Sequence, residues 1–321
     1  MTISAQIIAD SVANNIRITT LELEYPRFIH AECKTHRLLS MDDENYDVVL
    51  KQSIDFMDDP MLSRNASSSR AIPVKKMLDQ IKENPAMPIH WGINQPGMQA
   101  DNEYSDRSVP ESLWKSAAKD AVFWTKRFND INIHKQVSNR LLDTFQHIKV
   151  IVTATEWDNF FTLRLDSAAQ PEMRELARVM KEAMDNSVPR ELGVGEWHLP
   201  YVEFKDFTDP IFGNEYLPIG KINNDLNGVL STTQAIKCSA ARCARVSYLT
   251  HDNSSPVIDS DIALADKLLN ARHMSPMEHQ ATPMKHVAGY QDYEDGITHT
   301  DRYANRWSGN FRGWVQYRQT L

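Results

Sequence analysis

Residues 147–155, HIKVIVTAT, narrow what this chain can become more than any other stretch. They are β-branched and half alternating, a pattern that fits a pleated, half-buried strand. Helical patterns flank them. Upstream, Ser108-Val109-Pro110-Glu111 reads as a capping box with proline in the first turn. Leu113, Ala117, Ala121, Trp124 and Phe128 follow at helical spacing, which predicts a helix to about Phe128. A second helical piece, HKQVSNRLLDTF, carries Arg140. Downstream, 157–184 reads as a helix pair or one bent helix jointed at Pro171, with a core stripe of Met173, Leu176, Ala177, Met180, Ala183 and Met184.

The remaining segments read more simply. Residues 16–30 are a strand pair or one bent strand, with Pro26 at an edge or end. Residues 31–40 are helical and carry His36 and Arg37 at the far end. Pro73 opens a helix that closes at Asn84-Pro85. Residues 85–107 form a loop in which His90-Trp91-Gly92 either lines a pocket or pins the loop through a buried tryptophan. Residues 189–228 are irregular. Helices cover 240–246 and about 257–270, and Ser275 starts a new element.

Two short strings carry the chemistry. One is Thr35-His36-Arg37-Leu38-Leu39-Ser40, the other Ser63-Arg64-Asn65-Ala66-Ser67-Ser68-Ser69-Arg70. Joined, they concentrate guanidiniums, an imidazole and hydroxyls, the groups that grip phosphate. Between them, 41–63 is acidic and amphipathic, and reads as an inserted surface helix. A net charge of −8 over 321 residues argues against a general nucleic-acid binder. No stretch approaches eighteen apolar residues, and the first residues lack a basic, apolar leader. Cys33, Cys238 and Cys243 form no C-x-x-C pair, so reduced thiols in a cytoplasm are expected, with no metal site.

The joined strings resemble the R-H-R-x-x-S-x-N-x-x-S-x-R-Y motif of the flavin-dependent thymidylate synthases, the ThyX family. His36, Arg37, Ser40 or Ser63, Asn65, Ser68 and Arg70 match it, while Thr35 and Ala71 replace its first Arg and last Tyr. Asn159, Leu163 and Arg164, then Ala169-Gln170, are similar to the family's N-F-x-x-L-R-x-x-x-x-A-Q. By helical geometry Asn159, Leu163 and Gln170 share a face. The alternative for Arg164 is a surface arginine paired with Glu156 or Asp166. Ala244-Arg245-Val246-Ser247-Tyr248 resembles A-A-R-V-S-[YF], and His273 to His279, HMSPMEH, resembles H-x-[ST]-P-x-E-H. Those last two blocks come first in common family members.

The resemblance implies an α+β fold, a mostly antiparallel curved sheet flanked by helices, circularly permuted and forming one catalytic domain over 1–321. It implies FAD as cofactor, with NADPH and methylenetetrahydrofolate as co-substrates, in the reductive methylation of dUMP to dTMP by a homotetramer. His36, Arg37, Asn65, Asn159, Leu163, Ser247, Ser275 and Glu278 are then flavin residues. Glu32, Ser68, Ser69, Arg70, Arg140 and Arg164 are nucleotide residues, and Arg164 and His273 are catalytic. Departures cluster at the nucleotide, where Ala66 replaces Glu, Ala71 replaces Tyr and Glu32 replaces Gln; on the flavin side Ala168 replaces a His. Glu32 either pairs with Arg37 or Lys34 or faces the base, where a carboxylate reads the cytosine amine better than the uracil carbonyl; dUMP is the first choice of substrate and dCMP the alternative. Hydroxylation or hydroxymethylation of the base, an inactive nucleotide-binding homologue and a nucleic-acid binder are the rival readings.

Overall fold

The computed structural model describes residues 3–30, 63–69, 72–97, 99–209, 213–223, 226–246, 257–285, 295–301 and 303–321. The expected helices over 31–40 and 41–63 lie outside these residues, apart from Ser63. Ser63 belongs to a strand, β3 (Ser63–Ala66), where it pairs with Thr153 and is buried.

A five-stranded sheet organises the chain in the order β3-β4-β2-β1-β5. Its strands are β1 (Ser4–Ala13), β2 (Ile16–Pro26), β3, β4 (His147–Ala154) and β5 (Arg190–Glu191). All neighbours are antiparallel except β1 and β5. β1 was not anticipated. It joins β2 through Asn14 and Asn15 at φ 50° and 63°, the left-handed pair that a tight hairpin requires and asparagine tolerates. Residues 16–26 are one strand, and Pro26 ends it.

Alternation sorts the two faces of this sheet. Leu21, Leu23 and Tyr25 of β2, with Ile148, Val150 and Val152 of β4, point to one side. There they meet Met173, Leu176, Ala177, Met180 and Met184 of a helix, so the methionine stripe is core as expected. Thr20 and Thr153 point to the other side, paired across the strands and fully buried.

Helices α1 (Val74–Glu83), α2 (Ser108–Asp130) and α3 (Lys135–Ser138) precede β4, with a 3-10 turn over Asn139–Phe145. The capping box at Ser108 does not form. Asp106 caps the start of α2 instead, Oδ1 accepting from Ser108 N and Oγ at 3.0 and 2.6 Å. The expected stripe is also rotated: α2 buries Ala118, Val122 and Thr125, whereas Leu113 and Trp124 are exposed. Small side chains allow close approach to α1, and of the large ones Trp114 packs edge-on to Phe145 while Leu113 and Trp124 stay outside.

α4 (Asp158–Arg164) and α5 (Pro171–Asp185) are a helix pair jointed at Pro171. Beyond β5 the sequence looked irregular, yet β6 (Glu203–Asp209), β7 (Gly213–Asn223) and β8 (Leu226–Val229) form an antiparallel meander. α6 (Thr232–Val246) starts earlier than expected, at a capping box: Ser231 Oγ accepts from Gln234 N at 3.3 Å, and Gln234 Oε1 accepts from Ser231 N at 3.0 Å. α7 (Ile258–Asn270) is as expected. A 3-10 turn at Ser275–Glu278 leads into β9 (Ala281–Pro283). β10 (His299–Thr300), β11 (Arg306–Ser308), β12 (Phe311–Arg312) and β13 (Trp314–Gln316) follow, and β13 pairs with β9. Trp314 lies over the first hairpin, its Nε1 donating to Ile16 O at 3.2 Å.

Candidate functional site

β3 lies at the edge of the sheet, and its Asn65 is buried. Asn65 Nδ2 donates to His279 Nε2 at 3.2 Å, so two motifs distant in sequence meet at one hydrogen bond. His279 closes the H-M-S-P-M-E-H string. Pro276 stands at the start of the Ser275–Glu278 turn, where a missing N–H costs nothing. Behind this contact the polar groups continue. His279 Nδ1 bonds Thr153 Oγ1 at 2.8 Å, and Thr153 Oγ1 bonds Thr20 Oγ1 at 2.7 Å. Thr20 Oγ1 bonds His198 Nε2 at 2.8 Å, and His198 Nδ1 bonds Ser11 Oγ at 2.9 Å. Burial pushes both imidazoles down to about 3, so both are neutral near pH 7.

The C-terminal strands complete this region. Gln316 Nε2 donates to Ser63 Oγ and to Glu278 O, each at 3.0 Å, tying β13 to both motifs. Glu278, an expected flavin residue, is half-buried and ion-paired with Arg318. Ser275 and His273 are exposed. Ser247 lies outside the described residues.

The serine loop follows β3. Ser67 and Ser69 are buried and Ser68 is half-buried. Asn139 Nδ2 donates to Ser69 O at 2.8 Å and Ile72 O at 3.1 Å, which ties the loop to the turn that carries Arg140. Arg140 is exposed and 3.4 Å from Asp143. Asp143 also pairs with Arg27 at 3.1 Å, and Arg27 Nη1 donates to Ser67 O at 3.4 Å. Burial lowers the pKa of Arg27. Sequence reading missed this second arginine beside the serines; it stands just after Pro26, where nothing but the fold brings it near. Arg70, Glu32, His36 and Arg37 lie outside the described residues, and Arg64 is placed only as part of β3.

α4 presents Asn159 and Leu163 half-buried, while Arg164 is buried at 5% exposure. Arg164 is therefore no surface arginine. Glu156 pairs with Arg312, and Asp166 Oδ1 accepts from Ala168 N at 2.7 Å. The expected common face with Gln170 does not form, because α4 ends at Arg164 and the chain turns. Gln170 instead caps α5, Oε1 accepting from Met173 N at 2.9 Å. Its amide also bonds buried Glu172, which accepts from Ile89 N at 2.8 Å. These contacts close one wall of an open cavity of about 810 Å³ lined by His90, Gly92, Asp101, Ser167, Gln170 and Arg174 among others. The His90-Trp91-Gly92 loop thus contributes to a pocket, and Trp91 is only half-buried.

The A-A-R-V-S string has a structural role at Arg245. Asp261, fully buried on α7, receives Arg242 Nε at 2.9 Å and Arg245 Nη2 at 2.7 Å from α6. Cys238 and Cys243 are buried free thiols; burial raises Cys238 to about 11 and Cys243 further. Such thiols are poor nucleophiles near neutral pH. His198, Thr20 and Thr153 were not singled out by sequence. Their signal was faint: a histidine in a stretch read as irregular, and threonines in ordinary strand alternation.

No helix among the described residues is long and apolar enough to cross a membrane. No protein of curated function matches the sequence. Among solved structures, the chain is similar to a UMP/dUMP methylase, PolB from Streptomyces cacaoi, bound with 5-Br UMP. The two share 12% identity at a TM-score of 0.40, covering 57% of this chain and 89% of that one. The same protein bound with 5-Br dUMP gives 12% identity and a TM-score of 0.37, over 57% and 90%. The family model for thymidylate synthase complementing protein, Thy1, matches residues 10–190, more than half of the chain. That span holds β2, β3 and β4, the end of β1, Asn65, the serine loop and Arg164, and by it the chain belongs to the thymidylate synthase complementing (ThyX) family, a thymidylate synthase-like methyltransferase.

Proposed function

We propose that this protein is a flavin-dependent enzyme that reductively methylates dUMP to dTMP, drawing the carbon from methylenetetrahydrofolate and the electrons from NADPH. The observation that carries this reading is the meeting of Asn65 on β3 with the Ser275–Glu278 turn and His279. The 275–279 segment lies outside the span matched by the family model, yet it packs against β3, which lies inside that span. That packing supports the circular permutation and one catalytic domain over 1–321.

The side chains assigned to the flavin, on β3, on α4 and at the Ser275–Glu278 turn, have the chemistry to hold it. The Asn65 and Asn159 amides and the Ser275 hydroxyl are neutral donors and acceptors, the kind that match an isoalloxazine edge. Leu163 offers an apolar side chain. FAD, when bound, supplies the redox chemistry. Asn65 orients, its amide held from behind by His279. Glu278 must divide itself between Arg318 and any ligand, which makes that ion pair the adjustable part of the site. Ser68, Ser69, Arg70 and Arg140 take the nucleotide phosphate, the serines presented by Asn139 and by Ser67. Arg164 acts from a buried position, where a cation stabilises charge developing on a pyrimidine ring more strongly than in water. His273 stands on the folate side.

The exposed apolar face of α2, with Leu113, Phe123 and Trp124, supports assembly into a homotetramer. The reading also places the protein in the cytoplasm, with no nucleic-acid or membrane partner. The test is spectroscopic. Purified protein saturated with FAD should show a bound-flavin band that dUMP perturbs, and turnover with methylenetetrahydrofolate and NADPH should yield dTMP. A protein that stays colourless overturns the reading, and tighter binding of dCMP than dUMP would move it to the cytosine nucleotide.

A further inference from the structure

The hydrogen bonds behind Asn65 form one unbroken line across the sheet. It runs from Asn65 on β3 through His279 to Thr153 on β4, to Thr20 on β2, through His198 and on to Ser11 on β1. Each of these residues is less than a tenth exposed. Water is excluded, so the proton positions along the line constrain one another.

The arithmetic of donors is strict. A neutral imidazole has one N–H and one bare nitrogen, and a hydroxyl has one hydrogen. As Asn65 faces His279 with its amide nitrogen, His279 accepts at Nε2 and must donate from Nδ1 to Thr153. Thr153 then donates to Thr20, Thr20 to His198 Nε2, and His198 Nδ1 to Ser11. Turning the Asn65 amide over reverses every one of these donations. A half-reversed line leaves either two hydroxyl oxygens facing each other without a hydrogen or a buried O–H without an acceptor. A buried unmet polar group is costly enough to suppress such states.

We propose that this line is an orienting device for Asn65, so that His279 and, at a distance, His198 are positioning residues that decide whether Asn65 offers a carbonyl or an amide N–H to its ligand. In the structure the nitrogen is turned inward, and Oδ1 is the atom left to accept from a ligand N–H. The carboxamide cannot flip alone. It flips only with the two threonines and both imidazoles, which pre-organises it. The link to a flavin rests on the proposed function; the orienting of Asn65 does not.

Two measurements test this. The first uses ¹⁵N spectra of the imidazoles in the full-length protein without ligand. His198 and His279 should both be neutral, protonated at Nδ1. Opposite tautomers, or an imidazolium at pH 7, would overturn the proposal. The second compares Thr20→Val, which cuts the line between the sheet's central strands, with Thr20→Ser, which keeps the hydroxyl. The Asn65 side-chain amide resonances should move in Thr20→Val and stay in Thr20→Ser. Flavin affinity should fall about tenfold in Thr20→Val, the scale of one well-made hydrogen bond. It should not fall further when Thr20→Val is added to Asn65→Ala. Equal behaviour of the valine and serine variants, or an undiminished Thr20→Val effect on top of Asn65→Ala, would mean Thr20 only supports the fold. If wild-type protein binds no FAD the proposed function fails, while the resonances still decide the orienting role.

Discussion

At the scale of single residues, the site divides into groups held from behind and groups left exposed. Asn65 and Arg164 are buried, whereas Arg140, His273 and Ser275 are open to solvent. Phosphate binding depends on charge-assisted hydrogen bonds, which are worth most where the site is desolvated. Arg70→Ala is expected to weaken nucleotide binding by about 2–4 kcal/mol while leaving flavin affinity nearly intact, as read by separate titrations. Equal loss of both ligands would assign Arg70 a structural role. The motif residues themselves were legible in the sequence because their order and spacing are specific. Arg27, Thr20, Thr153 and His198 were not, because a lone basic or hydroxylic side chain carries no spacing signal. Only the register of β2 against β4 places Thr20 beside Thr153.

Elements show the same division between pattern and packing. The strand at 147–154 and the stripe of α5 were readable, since period 2 and period 3.6 report burial directly. The meander from β6 to β8 was not: its strands are rich in Asp, Asn, Pro and Gly, and pairing rather than propensity holds them. On α2 the apolar pattern pointed outward, because Leu113 and Trp124 face away from the core of the protomer. Two predictions belong here. Asp261→Ala strands Arg242 and Arg245 between α6 and α7, and should cost about 3 kcal/mol in chemical denaturation, since an ion pair broken from one side leaves charge poorly compensated. Deletion of 41–62, retaining Ser63 for β3, should leave a folded protein that binds FAD. Insoluble protein would show that the segment completes the core or an interface.

Two properties belong to the whole molecule. The first is assembly. Leu113→Glu with Trp124→Glu should shift the protein to smaller species in analytical ultracentrifugation without lowering its melting temperature greatly, because both side chains are more than half exposed. An unchanged distribution would remove α2 from the interface. The second is acid stability. His198 and His279 have pKa values held near 3 by burial, below the value of about 6.5 in an unfolded chain. Between those limits the unfolded state binds more protons. Stability from these rings is therefore complete above about pH 6.5 and is lost as pH falls toward 3, by about 1.4 kcal/mol per pH unit for each ring. His198→Gln should flatten that slope in denaturation curves, and an unaltered slope would mean that the ring is already charged in the fold.

The indole of Trp314 resting on Ile16 has a consequence for how the chain comes to be folded. The first hairpin is synthesised early, but the groups that seal its hydroxyl-bearing face arrive late, from His198, His279 and finally Trp314. Contacts of such separation carry a large loop-closure entropy and slow the search for the native state. Until the ribosome has delivered the last strands, Thr20 is solvated rather than locked, and its strand is an open template. The nascent chain thus passes through a stage in which one side of its sheet is finished and the other is wet, and the hydroxyl-bearing face behind Asn65 is the last to be covered.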